Sequence, residues 1–182
     1  MANHCTTDVT LKGSTENLNK LYIKLQGLSR LTLSEYPKIF DNQLDVDKID
    51  WGSKWQEIHE LDYCVGGDTM HVYGISAWSP TKGLWSKVSK DYNLNVTLTY
   101  HEETENFGGY VIFNDGNIID EMETTYYEYL YNEDVYAFWD SMEYLLGFES
   151  FEDVVSIIGG VYEIMNPNEK ERLNSMSNDF EI

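Results

Sequence analysis

The sequence lacks basic side chains over most of its second half. No lysine or arginine occurs between Lys90 and Lys170, and the 79 residues in between carry 18 Asp or Glu. The first 90 residues hold 10 basic and 11 acidic side chains, whereas residues 91–182 hold 2 basic and 21 acidic ones. Almost all of the net charge of −20 therefore lies in one half of the chain. Because like charges repel one another and destabilise a compact state, this pattern favours a functional reason for the acidity.

The sequence also lacks the segments that would place it in a membrane or export it. It has no apolar run of the roughly 18 residues that a spanning helix needs. It has no basic segment followed by an apolar one, which is the pattern of a secretory signal. We therefore expect a cytoplasmic protein. An acidic surface is repelled by anionic lipid and by nucleic acid, so we expect neither of them to be a direct ligand.

Residues that bind metals or act as nucleophiles are few and poorly spaced. A metal site would use His4, Cys5, His59 and Cys64, but their spacing matches no CxxC or HxxxH pattern. In a chain without an export signal, we expect both cysteines to be reduced and buried. No phosphate-binding loop, dinucleotide fingerprint or G-x-S-x-G motif occurs. We therefore predict no catalytic residue, no metal and no cofactor.

Aromatic side chains, by contrast, are abundant. The 182 residues include 5 Trp, 14 Tyr and 7 Phe, and 42% of the chain is hydrophobic. Disordered acidic tails are poor in aromatic residues, so this composition predicts a folded protein with its own core. The length favours one domain with a small appendage.

Hydrophobic periodicity predicts a β-α-β-β-α-β order followed by a further hairpin. The alternation typical of strands occurs in the segments 4–12, 56–65, 69–78, 94–101, 110–113 and 117–123. Helical spacing of apolar residues occurs in the segments 15–28 and 80–92. This order is the ferredoxin-like, α+β arrangement, in which two helices cover one face of an antiparallel sheet. Between the first helix and Trp51 we expect a short helix within 33–40 and a solvated acidic loop containing Asp45 and Asp47.

The remaining residues predict a second, helical part. Helix-start signals occur at 132–134, at the capping box formed by Ser150 and Asp153, and at Asn166–Pro167. We therefore predict a ferredoxin-like domain over residues 1–125 and an acidic helical extension, packed on it, over residues 126–182.

Four blocks of sequence occur in an order typical of one family. They are Asn3–Cys5 with Val9–Gly13, Trp51–Trp55, Ala77–Pro80, and Tyr100–Glu103 with Phe107–Gly109. These blocks resemble those of the YubB-like ferredoxin-like domains of phage and plasmid proteins. His4 stands where that family usually has tryptophan. The resemblance implies a ferredoxin-like fold and a mobile-element origin in a bacterial host, but no catalytic residues, since the family has no established activity.

The acidic half can present carboxylates at intervals close to those of nucleic-acid phosphates. Alternate residues of a strand lie about 6.6–6.8 Å apart, and helical neighbours such as Asp140 and Glu143 lie about 5–6 Å apart. We therefore predict a DNA-mimicking anti-defence protein, an anti-CRISPR or anti-restriction inhibitor, that binds the basic channel of a host nucleic-acid-processing complex. The predicted partner-binding residues are Glu103, Glu105, Asp115, Asp120, Glu121, Glu123, Tyr127, Glu128, Tyr131, Glu133, Asp134, Asp140, Glu143, Glu149, Glu152 and Asp153.

Two other interpretations of the sequence stay open. A small-ligand or metal-dependent enzyme would use a crevice near Trp51, Lys54 and Trp78, with Glu102 and Glu103 as the acids. A scaffold or regulatory binder would use the acidity for solubility alone. In any of these cases, an uncovered sheet face or edge strand would allow a homodimer.

Overall fold

A computed structural model describes residues 3–40 and 50–178. The described chain forms two compact units, which divide between Glu123 and Thr124. No helix within the described residues is long and apolar enough to cross a membrane. The predicted acidic loop with Asp45 and Asp47 lies outside the described residues.

The first unit is built on one seven-stranded sheet. Its strands are β1 His4–Lys12, β2 Arg30–Thr32, β3 Trp55–Tyr63, β4 Thr69–Ala77, β5 Asn95–Glu102, β6 Phe107–Asn114 and β7 Asn117–Thr124. Their order across the sheet is β2-β3-β4-β1-β5-β6-β7. The pairs β1–β4, β1–β5, β2–β3, β3–β4 and β5–β6 are all antiparallel.

Within the described residues, three helices connect these strands, namely α1 Thr15–Leu25, α2 Tyr36–Ile39 and α3 Lys82–Tyr92. The connection from β1 through α1 to β3 passes over β4, and the connection from β4 through α3 to β5 passes over β1. Two βαβ units, each with a strand inserted between its parallel strands, make the ferredoxin-like arrangement. The predicted α+β class with an antiparallel sheet is therefore confirmed.

The core of the first unit combines alternate strand residues with the apolar stripes of α1 and α3. Side chains alternate between the two faces of a strand, and those on the core side of β1, β4 and β5 include Val9, Leu11, Met70, Val72, Val96 and Leu98. The helices contribute Leu18, Leu21, Leu25, Leu84, Trp85 and Val88. The start of α1 is fixed by Ser14, whose hydroxyl oxygen accepts a hydrogen bond of 3.3 Å from the backbone of Asn17.

The strand β7 ends the sheet order on one side and is exposed along almost its whole length. Ile118, Ile119 and Met122 are exposed apolar residues of this strand. They are interspersed with the acids Asp120, Glu121 and Glu123.

The second unit is helical. Its helices are α4 Tyr126–Glu133, α5 Val135–Leu146, α6 Phe151–Ile158, α7 Gly160–Ile164 and α8 Pro167–Asn178. Thr125, Asp134 and Ser150 cap the first three of these helices through their side chains. A separate core holds them together and includes Phe138, Met142, Val154, Ile158, Val161 and Leu173.

The expectation that both cysteines are buried is wrong for one of them. Cys5 is buried in the first core, but Cys64 is exposed. Cys64 follows the last residue of β3 and begins the turn toward β4, where a side chain has no layer of the fold to cover it.

Candidate functional site

A pocket of about 410 Å³ opens in the first unit, where β4 leads into α3. We call it the Lys82 pocket. Its lining residues are Asp50, Gly52, Ser79, Pro80, Lys82, Gly83, Tyr100, Phe107 and Glu123.

One wall of the Lys82 pocket depends on a close approach between two backbone segments. A Cβ atom at Gly83 would lie 1.7 Å from the carbonyl oxygen of Asp50, and one at Gly52 would lie 2.5 Å from that of Pro80. Gly52 also has a φ of +82°, a conformation that glycine adopts without steric cost. The Trp51–Trp55 block therefore supplies a loop that packs directly on the start of α3.

A buried polar network lies beside this wall. The side-chain nitrogen of Gln56 donates to the hydroxyl of Thr7 at 2.8 Å. The hydroxyl of Thr81 donates to the side-chain oxygen of Gln56, also at 2.8 Å. All three side chains are fully or almost fully buried. Because every member has a partner, the network rigidifies the end of the sheet on which the pocket is built.

Lys82 is the basic side chain that lines the pocket. Its ammonium nitrogen lies 3.8 Å from a carboxylate oxygen of Glu121 and 3.9 Å from one of Glu123. The same nitrogen lies 5.1 Å from the centre of the Tyr100 ring, within the range of a cation–π interaction. Asp50 also lines the pocket, and its carboxylate accepts a hydrogen bond of 3.0 Å from the backbone N–H of Gly52.

Tyr100 carries an unusual polar atom. Its hydroxyl is buried and makes no hydrogen bond of ordinary geometry within the described residues, and the whole residue is 1% exposed. Burial, followed by the negative charge of Glu123, raises the pKa of Tyr100 well above its ordinary value. A hydrogen-bonding interaction with the Glu123 side chain contributes to the same shift, so Glu123 is the polar group nearest in effect to this hydroxyl.

Two further titratable groups of the first unit, Cys5 and Glu102, are buried. Burial raises the pKa of the Cys5 thiol to about 12, so the reactive thiolate is scarce at neutral pH. A carboxylate oxygen of Glu102, also buried, accepts a hydrogen bond from the backbone of Glu105 and so orders the turn between β5 and β6. Within the described residues, no group of three or more His, Cys, Asp or Glu is placed to hold a metal ion.

The residues of the crevice predicted around Trp51, Trp78 and Glu102 lie outside the lining of the Lys82 pocket. Trp51 is 3% exposed and packs on the ring of Tyr36, with 4.9 Å between ring centres, so it belongs to the core. Neither tryptophan nor Glu102 lines the Lys82 pocket, which lies next to them along the chain.

The predicted partner-binding residues divide between the two units. Thirteen of the sixteen are exposed. Six of these belong to the first unit: Glu103, Glu105, Asp115, Asp120, Glu121 and Glu123. Seven belong to the second unit: Glu133, Asp134, Asp140, Glu143, Glu149, Glu152 and Asp153.

The remaining three predicted residues are at least partly covered. Tyr127 is 6% exposed and belongs to the core of the helical unit, which leaves little of its side chain available to a partner. Tyr131 and Glu128 are half-buried. The hydroxyl of Tyr131 donates to Glu169 at 3.0 Å, and Glu128 accepts from the hydroxyl of Thr124.

Two faces of β7 present acids differently. Glu121 and Glu123 lie on the side of Lys82, whereas Asp120 accepts a 3.0 Å hydrogen bond from the hydroxyl of Tyr110 on the other side. This difference follows from the alternation of side chains along a strand. The sequence analysis assigned all three acids to one surface.

Sequence reasoning missed the pocket residues Lys82, Tyr100 and Phe107. Tyr100 follows Val96 and Leu98 in the alternation of a core strand. This pattern correctly predicts that its ring is buried, but it does not indicate that the residue also lines a pocket. The sequence feature nearest to the site was the Trp51–Trp55 block, in which Gly52 allows the close packing on the start of α3.

The fold defines a protein with a ferredoxin-like domain. In agreement, residues 50–138 match the family model described as a ferredoxin-like domain in Api92-like protein. The match covers just under half of the chain and extends from β3 into α5. No curated protein and no solved structure matches the chain significantly. The narrower resemblance to YubB-like domains stays a prediction.

Proposed function

We propose that the protein is a non-catalytic inhibitor from a phage or mobile element. It would bind the basic channel of a nucleic-acid-processing complex of the host, such as a CRISPR effector or a restriction enzyme, in place of the nucleic acid. The supporting observation is exposure: fourteen of the fifteen carboxylates from Glu103 to Glu163 are exposed, and Glu128 is half-buried. A stretch of chain that contains no basic residue thus has its charge directed toward solvent.

Charge of one sign at this density has a physical cost that binding would offset. Mutual repulsion destabilises the folded state, and a basic groove would relieve it. Complementary charge also accelerates association and favours the correct partner. Each unit carries its own share of exposed acids.

We infer further that α1 and α3 cover the same face of the sheet. The strands β1 and β4 are antiparallel, and the crossovers that leave them step toward opposite edges of the sheet. Right-handed crossovers of this kind put both helices on one side. Glu121 and Glu123, which approach Lys82 of α3, then belong to the helix side of β7.

The proposal is tested by inhibition and binding assays with purified CRISPR effectors and restriction enzymes of the host. We expect the protein to compete with nucleic acid for at least one of them. Its affinity should fall at least about tenfold between roughly 50 and 200 mM salt, because a charge-dominated contact is screened. No inhibition of any such complex, or binding that ignores salt, would exclude the proposal.

Two matched variants separate a specific surface from general acidity. The test variant converts five acids of the second unit to amides: Glu133, Asp140, Glu143, Glu149 and Glu152. The control variant makes the same change of net charge in the first unit, at Asp8, Glu16, Glu60, Asp62 and Asp68. We expect only the test variant to lose binding. Equal losses in both would indicate that the acidity acts through net charge alone, as in a scaffold that uses it for solubility.

A second candidate function is favoured by the Lys82 pocket. Its volume of about 410 Å³ lies in the usual range of small-ligand sites, roughly 300–1,000 Å³. Aromatic walls with a few converging polar groups are also typical of such sites. A small molecule that copurifies with the protein and is released by changes at Tyr100 would favour this function.

A further inference from the structure

The outward side of α5 combines exposed aromatic rings with acids. Tyr136 is 83% exposed and Tyr144 is 65% exposed, and Phe148, two residues after the end of the helix, is 76% exposed. Asp140 and Glu143 lie between the two tyrosines along the helix and are also exposed. We call these five residues the α5 face.

Helical geometry separates the α5 face from the core of its own unit. At 3.6 residues per turn, the four members within the helix fall in an arc of about 100°. On the opposite side of α5, Phe138, Met142 and Leu146 are buried in the core of the helical unit. The exposed rings therefore lie outside the core that holds this unit together.

The exposed rings form an extended aromatic surface. The rings of Tyr144 and Phe148 contact each other, with 5.0 Å between their centres. Tyr136 lies eight residues before Tyr144, which is about 12 Å along the helix axis. Exposed apolar patches rimmed by polar residues mark interaction sites, and aromatic residues are enriched at the centres of interfaces. The α5 face thus has the composition of a contact surface.

The charge of the helical unit indicates what kind of partner this face fits. The unit has two basic residues, Lys170 and Arg172. Each of them already lies over an aromatic ring: the Lys170 ammonium group is 5.0 Å from the centre of the Tyr162 ring, and the Arg172 guanidinium group is 4.1 Å from that of Trp139. Aromatic rings attract cations through their electron-rich faces. A cation for the α5 face therefore has to come from outside the unit.

We propose that the α5 face binds an arginine-rich surface of the protein partner. Guanidinium groups of the partner stack on Tyr136, Tyr144 and Phe148 and donate paired hydrogen bonds to the carboxylates of Asp140 and Glu143. This inference rests on the proposed function, because a channel that binds nucleic acid supplies arginine side chains in such number. It names one helix face, within the wider acidic surface, as the part that enters the channel.

The chemistry of guanidinium favours arginine over lysine. Its planar fork donates two parallel hydrogen bonds to a carboxylate and its flat face stacks on aromatic rings, whereas an ammonium group is a compact point charge. A second copy of the chain is disfavoured as the occupant, because two α5 faces would bring four carboxylates together. Nucleic acid is disfavoured by the same acids.

The direct test is fluorescence anisotropy of the full-length protein with two labelled peptides, nona-arginine and nona-lysine, near physiological salt. We expect the arginine peptide to bind at least about fivefold more tightly, because it alone stacks and forms paired hydrogen bonds. The ring variant combines Tyr136→Ala, Tyr144→Ala and Phe148→Ala. It should lose this preference and bind both peptides with similar, weaker affinity.

The matched control removes three comparably exposed apolar side chains that lie outside the α5 face. It combines Ile23→Ala, Val65→Ala and Ile164→Ala, at residues that are 70%, 69% and 60% exposed, and it leaves the net charge unchanged. Its preference for arginine should stay within about twofold of the parent. Both triple variants should keep the parent's unfolding midpoint, and Tyr136→Ala alone provides a smaller change with the same expected direction.

The carboxylates are tested by a second pair of variants. Asp140→Asn combined with Glu143→Gln should weaken binding of the arginine peptide about tenfold, because charge-assisted hydrogen bonds are lost. Glu163→Gln combined with Glu171→Gln makes the same change of charge at exposed residues of the same unit. This control should weaken binding less than about threefold, since it removes only long-range attraction.

Several results would overturn the proposal. These are equal affinity of the parent for the two peptides, an undiminished preference in the ring variant, and equal losses in the two acid variants. A mass in solution that rises with concentration for the parent, but not for the ring variant, would also overturn it, because a second copy would then occupy the α5 face.

The outcomes also distinguish this inference from the proposed function. Inhibition of a host complex that is undiminished in the ring variant would refute the role of the α5 face and leave the acidic inhibitor standing. A preference for arginine that depends on the rings, without inhibition of any host complex, would refute the inhibitor and leave the arginine-binding face standing.

Discussion

The ammonium group of Lys82 lies over the face of the Tyr100 ring, 5.1 Å from its centre. Its ion pairs with Glu121 and Glu123 are long, at 3.8 and 3.9 Å, and partly exposed. Such contacts contribute little to stability, since exposed pairs are worth at most about 1 kcal/mol. We therefore predict that Lys82→Met changes the free energy of unfolding by less than about 1 kcal/mol, measured by urea denaturation.

A matched lysine on the same helix provides the control. Lys87 lies 2.8 Å from Asp91, with a less exposed side chain, and 5.0 Å from the centre of the Phe40 ring. Lys87→Met should therefore cost more stability than Lys82→Met. A larger loss of stability in Lys82→Met than in Lys87→Met would show that Lys82 is a structural residue.

Removing the Tyr100 hydroxyl should not weaken the fold. Because this hydroxyl is buried and makes no hydrogen bond of ordinary geometry within the described residues, with the exposed Glu123 side chain interacting with it, we expect Tyr100→Phe to change the free energy of unfolding by less than about 1 kcal/mol. Tyr63→Phe is the contrast, since its hydroxyl donates to Asn19 at 2.9 Å and its loss should cost about 1 kcal/mol. Denaturation curves of both variants check the prediction, and a clear loss of stability in Tyr100→Phe would contradict it.

Stability should fall in alkaline solution. The pKa of Cys5 rises from 9.0 to about 12 on folding, and burial likewise raises the pKa of Tyr36 and of Tyr100 above 10.0. Below pH 9 both states hold these protons and the contribution to stability is complete. Above it the unfolded chain releases protons that the folded chain retains, so unfolding becomes progressively easier up to about pH 12.

The Cys5 share of this effect can be isolated by substitution. Cys5→Ala should flatten the decline of the unfolding free energy most strongly between pH 9 and 10, because the ordinary pKa of the thiol, 9.0, lies below that of the Tyr36 and Tyr100 hydroxyls, 10.0. Thiol labelling gives a second readout, because native protein should expose Cys64 alone to a thiol reagent. Rapid labelling of two thiols in the native protein at neutral pH would show that Cys5 is less protected than its burial indicates.

The contact between Asp50 and Gly83 should tolerate no side chain. A methyl group at Gly83 would meet the carbonyl oxygen of Asp50 at 1.7 Å, so Gly83→Ala should cost about 2–4 kcal/mol through backbone displacement. Gly160→Ala, at a position with no atom within 4 Å, should change stability by less than about 1 kcal/mol. Comparable unfolding midpoints for the two variants would show that the segment around Asp50, before β3, can move away from α3.

Much of the first unit follows from local pattern. The alternation of Val9 and Leu11 in β1, and of Val96 and Leu98 in β5, predicts strands because one face is buried and the other is not. The strand β2 could not be predicted in this way, since it has only three residues and buries only Leu31. Its existence depends on pairing with β3, which is a tertiary contact that no local window contains.

The candidate site was less predictable for a related reason. Asp50, Lys82, Tyr100 and Glu123 come from four separate segments and meet only through the order of the strands. For the tyrosines near residue 127, the sequence pattern suggested exposure where the structure shows burial. Tyr127 lies in a polar, acidic stretch that resembles an interface, yet the helical spacing of Tyr127 and Leu130 turns both toward the core of the second unit.

The exposed outer strand β7 has a consequence for handling the protein. Ile118, Ile119 and Met122 would make it a template for pairing with a second copy, and the carboxylates beside them oppose this by repulsion. Replacing those carboxylates by amides would remove the repulsion and leave the apolar side chains in place. Variants that neutralise this strand should therefore be handled at low concentration, and a rise in their apparent mass in solution would identify β7 as the strand through which copies pair.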